Sequence, residues 1–277
     1  MAWVITTDMD GTLLNHHDYR WESARPCLDI LQRADIPVIL NTSKTFAEVK
    51  QWVQTLAIKH PFIVENGSAI YSPAGYFSDD TLSQSPEPVV REGQYDVIRL
   101  GEDMQGLLTF KQRHAPELES LVECTIERAI ELTGLTQAEA SAAQDRSYTL
   151  PIVLSDGADL EPLISAAEAA QLQVLKGGRF AHLMGLCDKG RASQYFCSLY
   201  GQQHGQQTTL IALGDSGNDR AMLAVADHAI LVKNHKDDWL DMDGNSIYKT
   251  SQQAPEGWVE GIVQVLSDDI QNLKELT

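Results

Sequence analysis

The stretch Trp3-Val4-Ile5-Thr6-Thr7-Asp8-Met9-Asp10-Gly11-Thr12 constrains this chain more than any other. A short strand-forming run ends in two carboxylates one residue apart, and a glycine follows. Side chains alternate along a strand, so Asp8 and Asp10 share a face if the strand stays straight. Carboxylates that close repel unless a cation lies between them. Gly11 lets the chain leave the strand tip in a sharp turn. A strand end that offers acids to a divalent cation beside backbone N–H groups suits phosphate chemistry.

The letters alone do not decide. Asp241-Met242-Asp243-Gly244 repeats the same four residues after the polar Lys236-Asp237-Asp238, and reads as a surface turn. Neither copy fits a calcium loop, which needs Gly at its sixth position and Glu at its twelfth.

Around the first copy the pattern alternates. Trp21 to Ala34 has helical spacing, Ile36 to Leu40 reads as a buried strand, and Thr45 can cap a helix over Phe46 to Leu56. Phe62 to Val64 follows as a third strand. Such alternation predicts a mainly parallel sheet with right-handed crossovers, whose ligands sit at the carboxyl ends of the strands. Asp8/Asp10, Thr42–Lys44 and Glu65–Gly67 all fall there.

From Ser72 the pattern breaks. Ser72 to Gly75 and Ser83 to Pro88 are rich in turn residues and read as a linker. Beyond them come strand-like Tyr95 to Leu100, helical Asp103 to His114, Glu117 to Leu132 and Thr136 to Ala143, and strand-like Ser147 to Leu154. A helix over Leu160 to Ala170, a strand at Gln173 to Leu175, a Gly177-Gly178 turn and a strand at Phe180 to Leu183 complete the segment. The core pattern resumes with a helix opened by Lys189. A strand over Thr208 to Leu213 ends in Gly214-Asp215-Ser216-Gly217-Asn218-Asp219. A helix over Arg220 to Val225 and a strand at Ala229 to Val232 follow. The tail reads as a strand near Ile247–Lys249 and a helix from Gly257 to Leu266. The expected architecture is α/β. A Rossmann-like, doubly wound, mainly parallel core spans 1–82 and 187–277, and a smaller α/β domain is inserted over 83–186.

The second acidic loop reads alone as a capped helix start. Paired with the first in a parallel sheet, it makes a hard-cation site, and few carboxylates plus phosphate and waters suit Mg²⁺. A lone lysine is usually a solvated charge. Lys189 differs because it begins a helix where the core resumes, where a fixed cation could hold a phosphoryl oxygen. Thr42 could add a hydroxyl donor. Arg146 and Arg179 read either as surface arginines or as a fork that grips a second anionic group of a substrate. His16-His17 reads as loop, and His182 is ambiguous.

Composition narrows the partners. The net charge is −18, which argues against nucleic acid and anionic membranes. Cys27, Cys124, Cys187 and Cys197 form no C-x-x-C pair and read as free thiols of a reducing compartment. No signal peptide and no apolar run of membrane-spanning length is visible, so a soluble cytoplasmic protein is expected.

Asp8-Met9-Asp10-Gly11-Thr12, Thr42, Lys189 and Gly214-Asp215-Ser216-Gly217-Asn218-Asp219, in that order, resemble the haloacid dehalogenase-like phosphatases. The insertion resembles the cap of their Cof-type branch. Within it Thr42-Ser43-Lys44-Thr45, Glu65-Asn66-Gly67-Ser68-Ala69, Arg146-Ser147-Tyr148, Gly177-Gly178-Arg179-Phe180, Asp188-Lys189-Gly190 and Pro255-Glu256-Gly257-Trp258 are similar to the mannosyl-3-phosphoglycerate phosphatase group.

The resemblance implies that Asp8 is the nucleophile and Asp10 the general acid and base. It implies Mg²⁺ held by the Asp8 carboxylate, the Asp10 carbonyl and Asp215, with Asn218 and Asp219 orienting that shell. Thr42 and Lys189 would hold the phosphoryl group. Ser43, Lys44, Arg146, Ser147, Arg179 and His182 are the substrate-binding candidates. The implied substrate is a small phosphorylated sugar or glycerate. Mannosyl-3-phosphoglycerate leads. The glucosyl compound and a general sugar-phosphate or sucrose-phosphate activity are alternatives, and a non-catalytic cation- or phosphate-binding regulator is the alternative outside enzymes. Oligomeric state is not legible.

Overall fold

A computed structural model describes residues 2–154, 159–176, 179–244 and 246–276. In chain order the first elements are β1 (Ala2–Thr7), α1 (Arg25–Arg33), β2 (Val38–Leu40), α2 (Phe46–Thr55), β3 (Phe62–Val64), β4 (Ala69–Pro73), α3 (Asp79–Ser83), β5 (Val89–Glu92) and β6 (Tyr95–Arg99). Then come α4 (Met104–His114), α5 (Ile126–Thr133), α6 (Gln137–Gln144), β7 (Thr149–Val153), α7 (Glu161–Ala169), β8 (Leu172–Lys176) and β9 (Phe180–Gly185). The chain closes with α8 (Lys189–His204), β10 (Thr208–Gly214), α9 (Arg220–Ala224), β11 (His228–Lys233), β12 (Ile247–Gln253) and α10 (Glu256–Leu266).

The central sheet has the order β12-β11-β10-β1-β2, and every pairing in it is parallel. β1, β2, β10 and β11 are largely buried on both faces, as expected when helices cover both sides, while the edge strand β12 is mostly exposed. Ile5 and Leu40 pack with α1, α2 and α10 on one face, and Val4 and Ile39 with α8 on the other. Trp258 of α10 is fully buried, and its indole N–H donates to Thr7 Oγ1 at 3.0 Å, which fixes the tip of β1.

Three expectations change. Phe62–Val64 is a strand, but its ladder is antiparallel, with β4, and among the described residues it meets the parallel sheet through a single parallel bridge, Asn41–Ile63. The linker expected from Ser72 is partly strand: β4 runs through Ser72 to Pro73, and β5 lies beyond. Ser, Pro and Gly hid them, yet Ser72 is fully buried. The helix expected over Glu117 to Leu132 is confined to α5, because Thr125 caps it and Ser120 bridges to Ile152 instead. The Gly177-Gly178 turn lies outside the described residues.

The segment 83–186 spans two sheets. β5 and β6 extend the antiparallel sheet β3-β4-β6-β5, whereas β7-β9-β8 forms a separate sheet with its own apolar core of Leu107, Leu150, Leu163 and Leu183. The chain crosses between them at two adjacent points. A Cβ on Gly185 would lie 2.6 Å from the Glu102 backbone nitrogen. We propose that the cap runs between these crossings, Glu102 to Leu186, rather than from residue 83.

Candidate active site

The site is built where three parallel strands end. β1 stops at Thr7, but Asp8 continues its ladder for one more bond, Asp8 N–H to Leu213 O at 3.0 Å. Met9 is fully buried and anchors the loop, and Gly11 turns it at φ +81°. That turn brings the backbone against Asp215: a Cβ at Gly11 would meet Asp215 Oδ2 at 2.7 Å. β10, beside β1, delivers Asp215. β2, on the other side, delivers Asn41, whose amide donates to Lys189 O at 2.8 Å and Ser193 Oγ at 3.0 Å and so sets the start of α8.

Lys189 thereby enters the acidic cluster. Its ammonium lies 2.6 Å from Asp8 Oδ1 and 2.7 Å from Asp219 Oδ1, with its side chain fully buried. The two carboxylates raise its pKa against the opposing effect of burial. Burial pushes the Asp8 pKa up. Lys189 offsets part of this, while Asp219, Asp215 and Asp10 add to it. Asp215 is pushed up to about 7, chiefly by burial and then by Asp219.

The acids divide their work. Asp219 has both oxygens engaged, Oδ1 by Lys189 and Oδ2 by the N–H groups of Asp215 and Ser216 at 3.1 Å each. Asp215 accepts from Thr12 Oγ1 through Oδ1 at 3.3 Å. The second oxygens of Asp8 and Asp215 accept nothing from the described residues. Oxygens of Asp8, Asp215 and Asp219 lie within 4.8 Å of one another, a set that could hold a metal ion. Unengaged hard oxygens, clustered and raised in pKa, fit a small divalent cation.

Asp10 does not share that cluster. The chain leaves β1 before it, so the straight-strand alternation does not apply. Its Oδ2 pairs with Lys44 Nζ at 2.8 Å, and its Oδ1 is buried without a partner. Thr42 is buried, and its hydroxyl oxygen accepts the Lys44 N–H at 3.2 Å. Asn218 donates to Asn66 Oδ1 at 3.2 Å and accepts from Ser216 Oγ at 2.7 Å.

Two of the binding candidates serve as structural anchors. Arg146 donates to Thr149 Oγ1 and to the Ser43 carbonyl, both at 2.8 Å, and lies 3.5 Å from Glu65. The Ser147 N–H donates to Glu65 Oε1 at 2.8 Å. Ser43 enters this contact through its carbonyl. Arg179 is exposed and donates to Thr133 O within the cap, so it is not brought to the cluster. His182, on β9 opposite Pro151, is enclosed near Arg146 with Nδ1 unpartnered. Burial and then Arg146 hold its pKa down at about 3.

Sequence reasoning missed Asn41, Thr12 and Glu65 as organisers of the site. For Thr12 the signal was its place beside Gly11. Asn66-Gly67 after a strand signalled a left-handed turn, without showing what Glu65 would hold.

Comparison with known proteins identifies the family. A family model of haloacid dehalogenase-like hydrolases matches residues 5–87, and one of sucrose-6F-phosphate phosphohydrolase matches 160–266. A glucosyl-3-phosphoglycerate/mannosyl-3-phosphoglycerate phosphatase of Persephonella marina is 35% identical over 96% of this chain and 97% of its own. One of Methanococcoides burtonii is 37% identical over 84% of this chain and 85% of its own. The crystal structure of Thermoplasma acidophilum 0175 shares the fold at a TM-score of 0.64, covering 100% of both chains at 16% identity. The chain belongs to the haloacid dehalogenase-like hydrolases, as a phosphatase of their Cof-type branch.

Proposed function

We propose that this chain is a Mg²⁺-dependent phosphatase that removes the phosphate of a glycosyl-3-phosphoglycerate, with the mannosyl compound as leading substrate and the glucosyl compound beside it. The names of the two relatives support the substrate. The carrying observation is the asymmetry at Asp8: Lys189 holds one oxygen at 2.6 Å and the other has no partner among the described residues.

Mg²⁺, bound at Asp8, the Asp10 carbonyl and Asp215, would neutralise charge on the phosphoryl oxygens. Asp8 attacks phosphorus, the P–O bond to the glycerate breaks, and an aspartyl phosphate forms. Asp10 gives its proton to the leaving oxygen and then takes one from the hydrolytic water, which releases phosphate and restores Asp8. The unpartnered Oδ1 of Asp10 is the atom available for that exchange. Thr42 and Lys189 hold the phosphoryl group, while Asp219 and Asn218 orient Lys189 and the Asp215 loop. The unpartnered Nδ1 of His182 supports it as a cap contact to the substrate, and Lys44 stands beside the leaving oxygen.

The test is an ester panel with mannosyl- and glucosyl-3-phosphoglycerate, sucrose 6-phosphate and simple sugar phosphates, each with Mg²⁺ and with chelator. A marked preference for the glycosyl phosphoglycerates, lost on chelation, is expected. A flat profile defeats the specific reading, and no phosphate release from any ester leaves a non-catalytic phosphate binder.

A further inference from the structure

Glu65, Asn66 and Gly67 take positive φ in succession, 50°, 59° and 91°. Non-glycine residues are held there only where the surroundings over-determine them, and such positions cluster at working sites. The contacts of this turn show what it serves.

The Glu65 carboxylate is buried at the core–cap boundary and acts as an acceptor for the start of β7. Oε1 takes the Ser147 N–H at 2.8 Å. Oε2 takes the N–H groups of Tyr148 at 3.1 Å and Thr149 at 2.8 Å, and the Thr149 hydroxyl at 2.8 Å. The Glu65 N–H donates to Lys44 O at 2.9 Å and the Asn66 N–H to Thr42 O at 2.9 Å, so the turn also carries the Thr42–Lys44 loop. Asn66 Oδ1 accepts from Asn218 of the Asp215 loop. Gly67 presses on the entry to α8: a Cβ there would lie 2.1 Å from Asp188 O and 2.8 Å from Lys189 N. One three-residue turn thus touches the cap, the Thr42–Lys44 loop, the Asp215–Asp219 loop and the start of the Lys189 helix.

We propose that Glu65 is a positioning residue: its carboxylate clamps Ser147–Thr149 of the cap over the site, and the rigid turn keeps that clamp in register with the Asn218 and Lys189 elements. This rests on the phosphatase reading above. It also assigns Arg146 and Ser147 to cap placement rather than to direct substrate recognition.

The clamp predicts that Glu65 matters in proportion to how much of the substrate the cap must hold. Glu65→Gln keeps the shape but faces at least one of these donors with an amide N–H₂ instead of an oxygen. For a glycosyl-3-phosphoglycerate, kcat/KM falls about tenfold to a hundredfold, the scale of one lost charge-assisted hydrogen bond. For p-nitrophenyl phosphate, which needs little of the cap, it falls less than about threefold on the same argument. Amide exchange at 147–149 speeds up at least about tenfold, while 216–219 keep their protection. Asn66→Gly retains the left-handed turn and removes only the bond to Asn218. It leaves 147–149 protected, lowers both esters alike, and weakens Mg²⁺ binding read by calorimetry.

Equal loss of both esters in Glu65→Gln, or unchanged exchange at 147–149, overturns the proposal. So does an Asn66→Gly protein that loosens 147–149 or discriminates between the esters. If the unmodified enzyme cleaves p-nitrophenyl phosphate but neither glycosyl ester, the substrate reading fails, and the exchange measurement decides the clamp by itself.

Discussion

The chain carries the same tetrapeptide twice, Asp8-Met9-Asp10-Gly11 and Asp241-Met242-Asp243-Gly244, and among the described residues only the first lies beside a buried lysine and a cluster of further acids. Asp8 follows a buried strand flanked by β10 and β2, and those neighbours bring Asp215 and, through Asn41, Lys189 to it. Asp241 and Asp243 are exposed, belong to no strand, and make no ion pair among the described residues. Met9 is fully buried, whereas Met242 only half covers a small apolar cluster with Trp239 and Leu240. Chemistry here belongs to a strand end in a parallel sheet, not to a tetrapeptide.

The widest separation between the copies is expected in turnover. Asp8→Asn removes the proposed nucleophile and should lower kcat by about four orders of magnitude or more. Asp241→Asn should leave kcat within about twofold, as expected of an exposed change outside any site. Steady-state phosphate release measures both, and a comparable loss in the second variant would break the contrast. Next in size is the cation that only the first copy has. Lys189→Met leaves Asp8 and Asp219 buried without their partner, and should cost about 3–5 kcal/mol of stability. Denaturant unfolding of the metal-free protein reads this, and a loss under about 1 kcal/mol would mean that water already screens the cluster.

The contrast also explains what could be read without coordinates. Asp8, Thr42 and Asp215 lie just past apolar runs, so strand periodicity placed them at one edge of the sheet before any contact was known. Lys189 was legible from its position at a helix start. Glu65 was not: its partners are Ser147–Thr149, some eighty positions away, and its role depends on a left-handed backbone that local propensity disfavours. Arg146 misled for a related reason. A guanidinium near a phosphate site looks like a substrate fork, but this one is spent on Thr149 and the Ser43 carbonyl. β4 was hidden because Ser72 and Pro73 carry turn signals while sitting in a buried antiparallel sheet.

The glycines sharpen the comparison at lower amplitude. Gly11 has φ +81° and backs directly onto Asp215, so Gly11→Ala meets both an unfavourable conformation and a carboxylate at 2.7 Å. About 1–3 kcal/mol of destabilisation is expected, together with weaker metal binding. At Gly244 the nearest atom is the Ile247 Cδ1 at 2.9 Å, the mobile end of a side chain, and φ is not left-handed. Gly244→Ala should cost under about 0.5 kcal/mol, as surface changes usually do. Thermal unfolding of the two variants side by side checks the pair, and equal shifts would show that the first turn has slack.

The smallest effect per step concerns protons, and it belongs to the first copy alone. Burial raises the Asp8 and Asp215 pKa values, the latter to about 7, above the unfolded carboxylate range. Between roughly pH 4 and 7 the metal-free folded state therefore holds protons that the unfolded chain has released. The site's contribution to stability is complete below that window and is lost as pH rises through it. A cation binding at Asp8 and Asp215 must displace those protons, so Mg²⁺ and protons compete. Displacing one proton makes Mg²⁺ affinity rise about tenfold per pH unit up to about pH 7, or about 1.4 kcal/mol per unit. The increment in melting temperature on adding Mg²⁺ should grow from pH 5.5 to 7.5 and then level off. His182, held neutral down to about pH 3, changes the absolute stability at acid pH, but the increment cancels it. Asp241→Asn should trace the same curve as the unmodified protein, and Asp215→Asn should lose the increment at every pH. An increment already flat at pH 5.5 would mean that Lys189 keeps both carboxylates ionised, and the acidic cluster would then be set by its ion pair rather than by its burial.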